Sequence, residues 1–142
     1  MFEDVEMLKK LSNRGEQQVY EQIAQTADCY GASVYRKVRI ADVVDIDKLP
    51  DRAIGTYALQ AHFDFVVADE NEQPLFALEF DGPGHSDKND AEKDEICRAV
   101  ALAIFRVDLQ CSRIETARMK FLSYLVHLWV SRHQVCRVAG DR

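Results

Sequence analysis

Three carboxylates in this chain stand where carboxylates are costly. The run Phe63-Asp64-Phe65-Val66-Val67 places an acid inside a β-forming segment, and Leu75-Phe76-Ala77-Leu78-Glu79-Phe80-Asp81 ends the next one with two more. Glu79 and Asp81 are two residues apart, so on a strand they project from the same face. An ionised carboxylate in a buried strand is expensive, and two on one face repel. A bound divalent cation relieves both costs, and hard oxygen donors of this kind suit Mg2+ or Mn2+. The alternative is that these acids lie at frayed strand ends in water, or pair with Arg and Lys. Glu16 is a further acid out of place, one turn before Tyr20 on the apolar stripe of a helix.

The elements that must position these groups can be read from periodicity. A helix is expected over about 13–27, with Ser12 as N-cap and Val19, Tyr20, Ile23, Ala24 and Ala27 at helical spacing. Gly31 breaks the chain, and Ser33 to Ile40 reads as a strand. The polar stretch through Asp45, Asp47 and Pro50 to Gly55 reads as a loop. Phe63–Ala68 and Leu75–Phe80 read as neighbouring antiparallel strands, because Asp69 to Pro74 has the turn chemistry of a hairpin. The turn Asp81-Gly82-Pro83-Gly84-His85 stops regular structure, and a helix follows, capped by Ser86 or Asp87. Its apolar face, Ile96, Cys97, Val100 and Ala101, is joined at the N-terminal end by Lys93. Ala103–Val107 reads as a short buried strand. A last helix over about 112–132 is expected from a Ser112-x-x-Glu115 capping box. The order α-β-β-β-α-β-α describes an α/β domain with a mixed central sheet flanked by helices, since a hairpin supplies an antiparallel pair and strand-helix-strand a parallel one.

An Asp, a hairpin, Glu-x-Asp, a turn and a His, in that order, resemble the PD-(D/E)xK nuclease superfamily. The closer likeness is to the branch of the very-short-patch repair endonuclease and a related uncharacterised bacterial domain family. It rests on Glu79-Phe80-Asp81-Gly82-Pro83-Gly84-His85, on His62-Phe63-Asp64-Phe65, on Val38-Arg39-Ile40-Ala41-Asp42-Val43-Val44 and on Asp90-x-x-Lys93-Asp94, and it spans about 12–108. The resemblance implies a restriction-endonuclease-like fold and a Mg2+- or Mn2+-dependent endonuclease acting on DNA, or on RNA. Asp64 and Glu79 then match the paired metal-binding carboxylates, with the Phe80 carbonyl as a third ligand. Glu16 matches the helical acid that reaches the metal through water or holds a second ion. Asp81 stands where many members carry a Lys; Lys93 or His85 would supply that charge, His85 as general acid or base. The missing lysine also motivates a rival reading, a nuclease-like fold without turnover that serves as a nucleic-acid-binding or regulatory module.

The chain has 142 residues and a formal net charge of −6, enough for one domain over 1–142. Taken as a total, that charge argues against a protein that coats nucleic acid through clustered Lys and Arg. Resolved by position, residues 64–95 carry −9 and the remainder +3. The surplus is local, so nucleic acid is expected to bind with the help of the cation. Asp69–Glu72 and Glu92–Glu95 read as solvated faces. Arg36, Lys37, Arg39, Arg113, Arg118 and Lys120 either hold a phosphate backbone or form ordinary surface. Cys29, Cys97, Cys111 and Cys136 show no metal or disulfide spacing and read as reduced thiols. The acidic N-terminus is unlike a signal peptide, and no apolar run reaches membrane-spanning length, so a cytoplasmic location without membrane contact is expected. The wide apolar stripe Phe121 to Val130 suggests a homodimer through the last helix; targeting could instead come from a separate domain of a longer protein.

Overall fold

The computed structural model describes residues 8–9, 13–81, 87–116 and 119–140. Helix α1, Arg14–Cys29, begins at Asn13, whose side chain accepts from the Glu16 amide at 2.8 Å; Asn13, rather than Ser12, is the N-cap. The helix buries Val19, Ile23 and Ala27 along one stripe. It ends where Gly31 takes φ +72, a left-handed conformation that a Cβ would strain, and the chain turns into strand β1, Ser33–Arg39.

The expected loop over Asp45–Gly55 is corrected. After one helical turn, α2 (Ile40–Val43), Asp45 caps a 3-10 turn at Ile46–Lys48, and Asp51 caps helix α3, Arg52–Gln60, accepting from the Ile54 amide at 2.8 Å. Asp, Pro and Gly mark loops, but Asp also satisfies the orphan amides that open helices, and here it does so twice. Gly55 lies inside α3.

Strands β2 (His62–Ala68) and β3 (Pro74–Phe80) form the expected hairpin, and helix α4 (Asp87–Ala99) carries the chain to β4, Ala103–Val107. The sheet has four strands in the order β1-β2-β3-β4. β1–β2 and β2–β3 are antiparallel and β3–β4 is parallel. The last helix also departs from expectation. Residues Leu109–Arg113 form a 3-10 turn capped by Asp108, Glu115–Thr116 and Met119–Lys120 pair as the small strands β5 and β6, and helix α5 runs over Phe121–Gly140. The apolar periodicity that lets a helix dock starts only at Phe121; the polar residues before it have no face to bury.

Helices cover both faces of the sheet, the α/β arrangement with a mixed sheet that the element order predicted. On one face Phe65, Val67, Phe76 and Leu78 meet α1 and Leu122, Val126 and Val130 of α5. On the other, Phe63, Val66 and Ala77 meet Ile40, Ile54, Ala58, Ile96 and Cys97. In β2, Phe65, Val66 and Val67 alternate between the faces, yet Phe63 falls on the face of Val66 rather than that of Phe65. In β1, Val34 and Val38 likewise pack on opposite faces, and Lys37 between them has φ +50. The pairs Arg36–Phe65 and Val38–Phe63 put Lys37 level with Asp64, so the two strands turn over together at that point. No described helix is long and apolar enough to cross a membrane.

Candidate functional site

The β2–β3 ladder reaches Phe65–Leu78 and does not continue to the next residues. Beyond it, β3 stays paired with β4 through Phe80–Val107, and the Asp81 amide still donates to the Val107 carbonyl at 2.8 Å. Two backbone N–H groups are thus left without strand partners, and carboxylates take them. The Phe80 amide donates to Asp64 Oδ2 at 2.8 Å, and the Asp64 amide donates to Glu79 Oε2 at 2.7 Å. Each acid thereby holds the other's strand, across the gap where the sheet opens.

Glu79 is 4% exposed, the one polar residue in the buried core among the described residues. Its Oε1 accepts from Lys93 Nζ, which α4 brings in from the second face. Burial first, and the Asp64 charge second, push the Glu79 carboxyl up to about 7, against the opposing pull of Lys93 and the Asp64 amide. Glu16 approaches from the first face. Its Oε1 accepts from Asn13 Nδ2 at 3.2 Å, and burial and the Asp64 charge raise its carboxyl above the ordinary value while Lys37 and Arg36 oppose them. Helix α1 comes this close because residue 15 is glycine: a Cβ there would stand 2.5 Å from Cζ of Phe80.

Glu16, Asp64, Glu79, Phe80 and Lys93 therefore meet at one end of the sheet. Asp81 follows them, half-buried, on the extension of β3. His85, with the glycine turn and Ser86, lies outside the described residues. Among the described residues no three His, Cys, Asp or Glu side chains form a ready-made cation cage. The bonding explains this: Lys93 and an amide take the two Glu79 oxygens, and an amide takes one oxygen of Asp64. Asp64 Oδ1 accepts nothing from a described residue. The donor set is nonetheless hard oxygen, of the kind Mg2+ and Mn2+ select, and engaging Glu79 requires Lys93 to shift.

The motif Asp90-x-x-Lys93-Asp94 divides its labour. Lys93 serves Glu79, whereas Asp90 and Asp94, one turn apart, hold Arg106 of β4 at 3.2 and 2.7 Å. Arg106 was missed in the sequence, although it announces itself as Asp64 does, by a charge inside an apolar strand. Gly15 and Tyr57 were missed too. Tyr57 of α3 lies near enough to the acids that burial, then the charges of Glu92, Glu79 and Asp90, push its hydroxyl up to about 12. Its spacing on a short helix carries no such signal.

Neither the curated proteins nor the solved structures yielded a match to this chain. A family profile matches residues 8–123, a span that takes in Glu16, Asp64, Glu79 and Lys93. The chain belongs to that family, described as "protein of unknown function (DUF2726)".

Proposed function

We propose that this protein is a divalent-metal-dependent endonuclease that hydrolyses phosphodiester bonds of DNA, or of RNA, on a restriction-endonuclease-like fold of the PD-(D/E)xK kind. The observation that carries the reading is the linked set Asp64, Glu79 and Lys93 at the point where β2 and β3 part. Each of the two carboxylates there accepts an amide from the other's strand, and the buried one also accepts from an ammonium. A Mg2+ or Mn2+ ion, when bound, would neutralise phosphate oxygens and lower the pKa of a water. Asp64 and Glu79 would hold it, with the Phe80 carbonyl beside them, and Glu16 would act through water or on a second ion. Lys93 supplies from α4 the positive charge that Asp81 does not supply from β3, and on release from Glu79 it can face the phosphate. His85 is a candidate general acid or base.

One observation favours a second reading, a nucleic-acid-binding module without turnover: the Glu79 carboxylate is already fully engaged, by Lys93 and by an amide. Incubation with single- and double-stranded DNA and RNA in Mg2+ or Mn2+ separates the two. Cleavage that falls by at least about 100-fold in Asp64→Ala and in Glu79→Ala supports the nuclease. Absence of cleavage in every substrate, or cleavage that survives both substitutions, overturns it; binding without cleavage supports the module.

A further inference from the structure

Beside the acids stands a cation held by a ring. Arg36 Cζ lies 4.2 Å from the centroid of the Tyr20 ring, and that ring stacks on Phe65, centroids 6.3 Å apart and planes within 19°. Phe65 is fully buried, so the guanidinium caps a column rooted in the core. Among the described residues Arg36 pairs with no carboxylate. Stacking occupies the flat face of a guanidinium and leaves its N–H donors, which lie in the plane, free to point outward. Tyr20 follows Glu16 by one helical turn on α1, which fixes Arg36 next to the acid site; its charge acts on Glu16.

Lys37 is exposed, level with Asp64 between the pairs Arg36–Phe65 and Val38–Phe63, with φ +50. A non-glycine residue in the left-handed region is strained, and such strain is retained where the surroundings demand it. Here it belongs to the turnover of β1 and β2 that sets Lys37 on the rim of the acid site. Glycine would adopt the same turn without strain, yet the position carries a cation.

We infer that Arg36 and Lys37 form a phosphate clamp that seats the sugar-phosphate backbone of a nucleic acid on the β1 side of the acid site. The substrate class rests on the nuclease reading, but the contact itself does not require turnover. Arg36 offers paired, planar donors to one phosphate, and Lys37 offers a point charge to the same phosphate or its neighbour. Both contacts are to backbone, so the clamp positions any sequence and discriminates none.

The test is equilibrium binding of fluorescein-labelled single- and double-stranded DNA and RNA oligonucleotides, followed by anisotropy across a salt series, with Ca2+ replacing Mg2+ to suppress cleavage. Arg36→Gln and Lys37→Gly should each weaken binding roughly three- to tenfold, alike for unrelated sequences, and each should lower the salt slope by about 1. Arg36→Lys should keep the slope while losing affinity. Lys37→Gly should raise the melting temperature as it weakens binding, a pairing that a merely structural lysine would not produce. Lys48→Ala, at the opposite end of the sheet beside Pro74 and Leu75, should change nothing. Unchanged affinity and slope in Arg36→Gln and Lys37→Gly overturn the clamp, even if the protein cleaves and Asp64→Ala does not. Weakened binding in both, with no cleavage by the wild type, sustains the clamp while the nuclease fails. Absence of binding by the wild type overturns both.

Discussion

The two ends of the β2–β3 hairpin use the same bond for different ends. At the turn, Asp69 Oδ1 accepts from the amides of Asn71 and Gln73 at 2.8 and 3.0 Å, and Glu72 accepts from the Tyr35 hydroxyl at 2.9 Å. At the open end, Asp64 and Glu79 accept from the amides of Phe80 and Asp64 at nearly the same distances. Both ends satisfy backbone N–H groups that the ladder cannot reach. Asp69 acts on its own loop and Glu72 reaches only the exposed Tyr35 of β1, and water solvates the charge left over. The open-end acids reach across strands and stand beside one another, and Glu79 is buried as well, so it needs Lys93 and its carboxyl is pushed up to about 7. Carboxylates become chemically distinctive through burial and a like-charged neighbour rather than through their number.

Removing Lys93 gives the largest break in that comparison. Lys93→Ala strands a buried carboxylate, and chemical denaturation at pH 8 should show a loss of about 3 kcal/mol. The loss should shrink as the pH falls and Glu79 takes up a proton. Next comes Gly15→Ala, whose new Cβ meets the Phe80 ring. We expect about 2 kcal/mol of destabilisation from this overpacking, read by urea titration. The proton affinity itself supplies a sharper probe. Because the folded carboxyl of Glu79 titrates near 7 and its ordinary value is 4.5, the native state binds more protons than the unfolded chain between these values. Its contribution to stability is therefore complete below about 4.5 and is lost as the pH rises toward 7. Melting curves of Glu79→Gln should lack that slope. The smallest effect belongs to the turn: Asp69→Ala should cost about 1 kcal/mol, because water can replace much of what an exposed cap supplies.

Much of this was legible beforehand, residue by residue. The hairpin and β4 appear where alternation and turn chemistry put them, and Asp64 and Glu79 were conspicuous as charges inside apolar runs. Asp45 and Asp51 misled because a capping Asp and a loop Asp look alike in a sequence; the helix Asp51 opens has an apolar stripe of only Ile54, Gly55 and Ala58. Ser112 and Glu115 misled in the opposite direction, offering a capping box with no apolar face behind it to dock.

Which residues carry charge, which runs alternate and which positions break them were determined by the sequence alone, because these follow from side-chain chemistry and local backbone preference. Tertiary structure alone decided that β2 and β3 part after Phe65 and Leu78, that Gly15 admits α1 against Phe80, and that Lys93 rather than a neighbour on α4 meets Glu79. Each of these depends on distances between elements far apart in the chain. A carboxylate's partner and its dielectric surroundings do not exist until those elements pack.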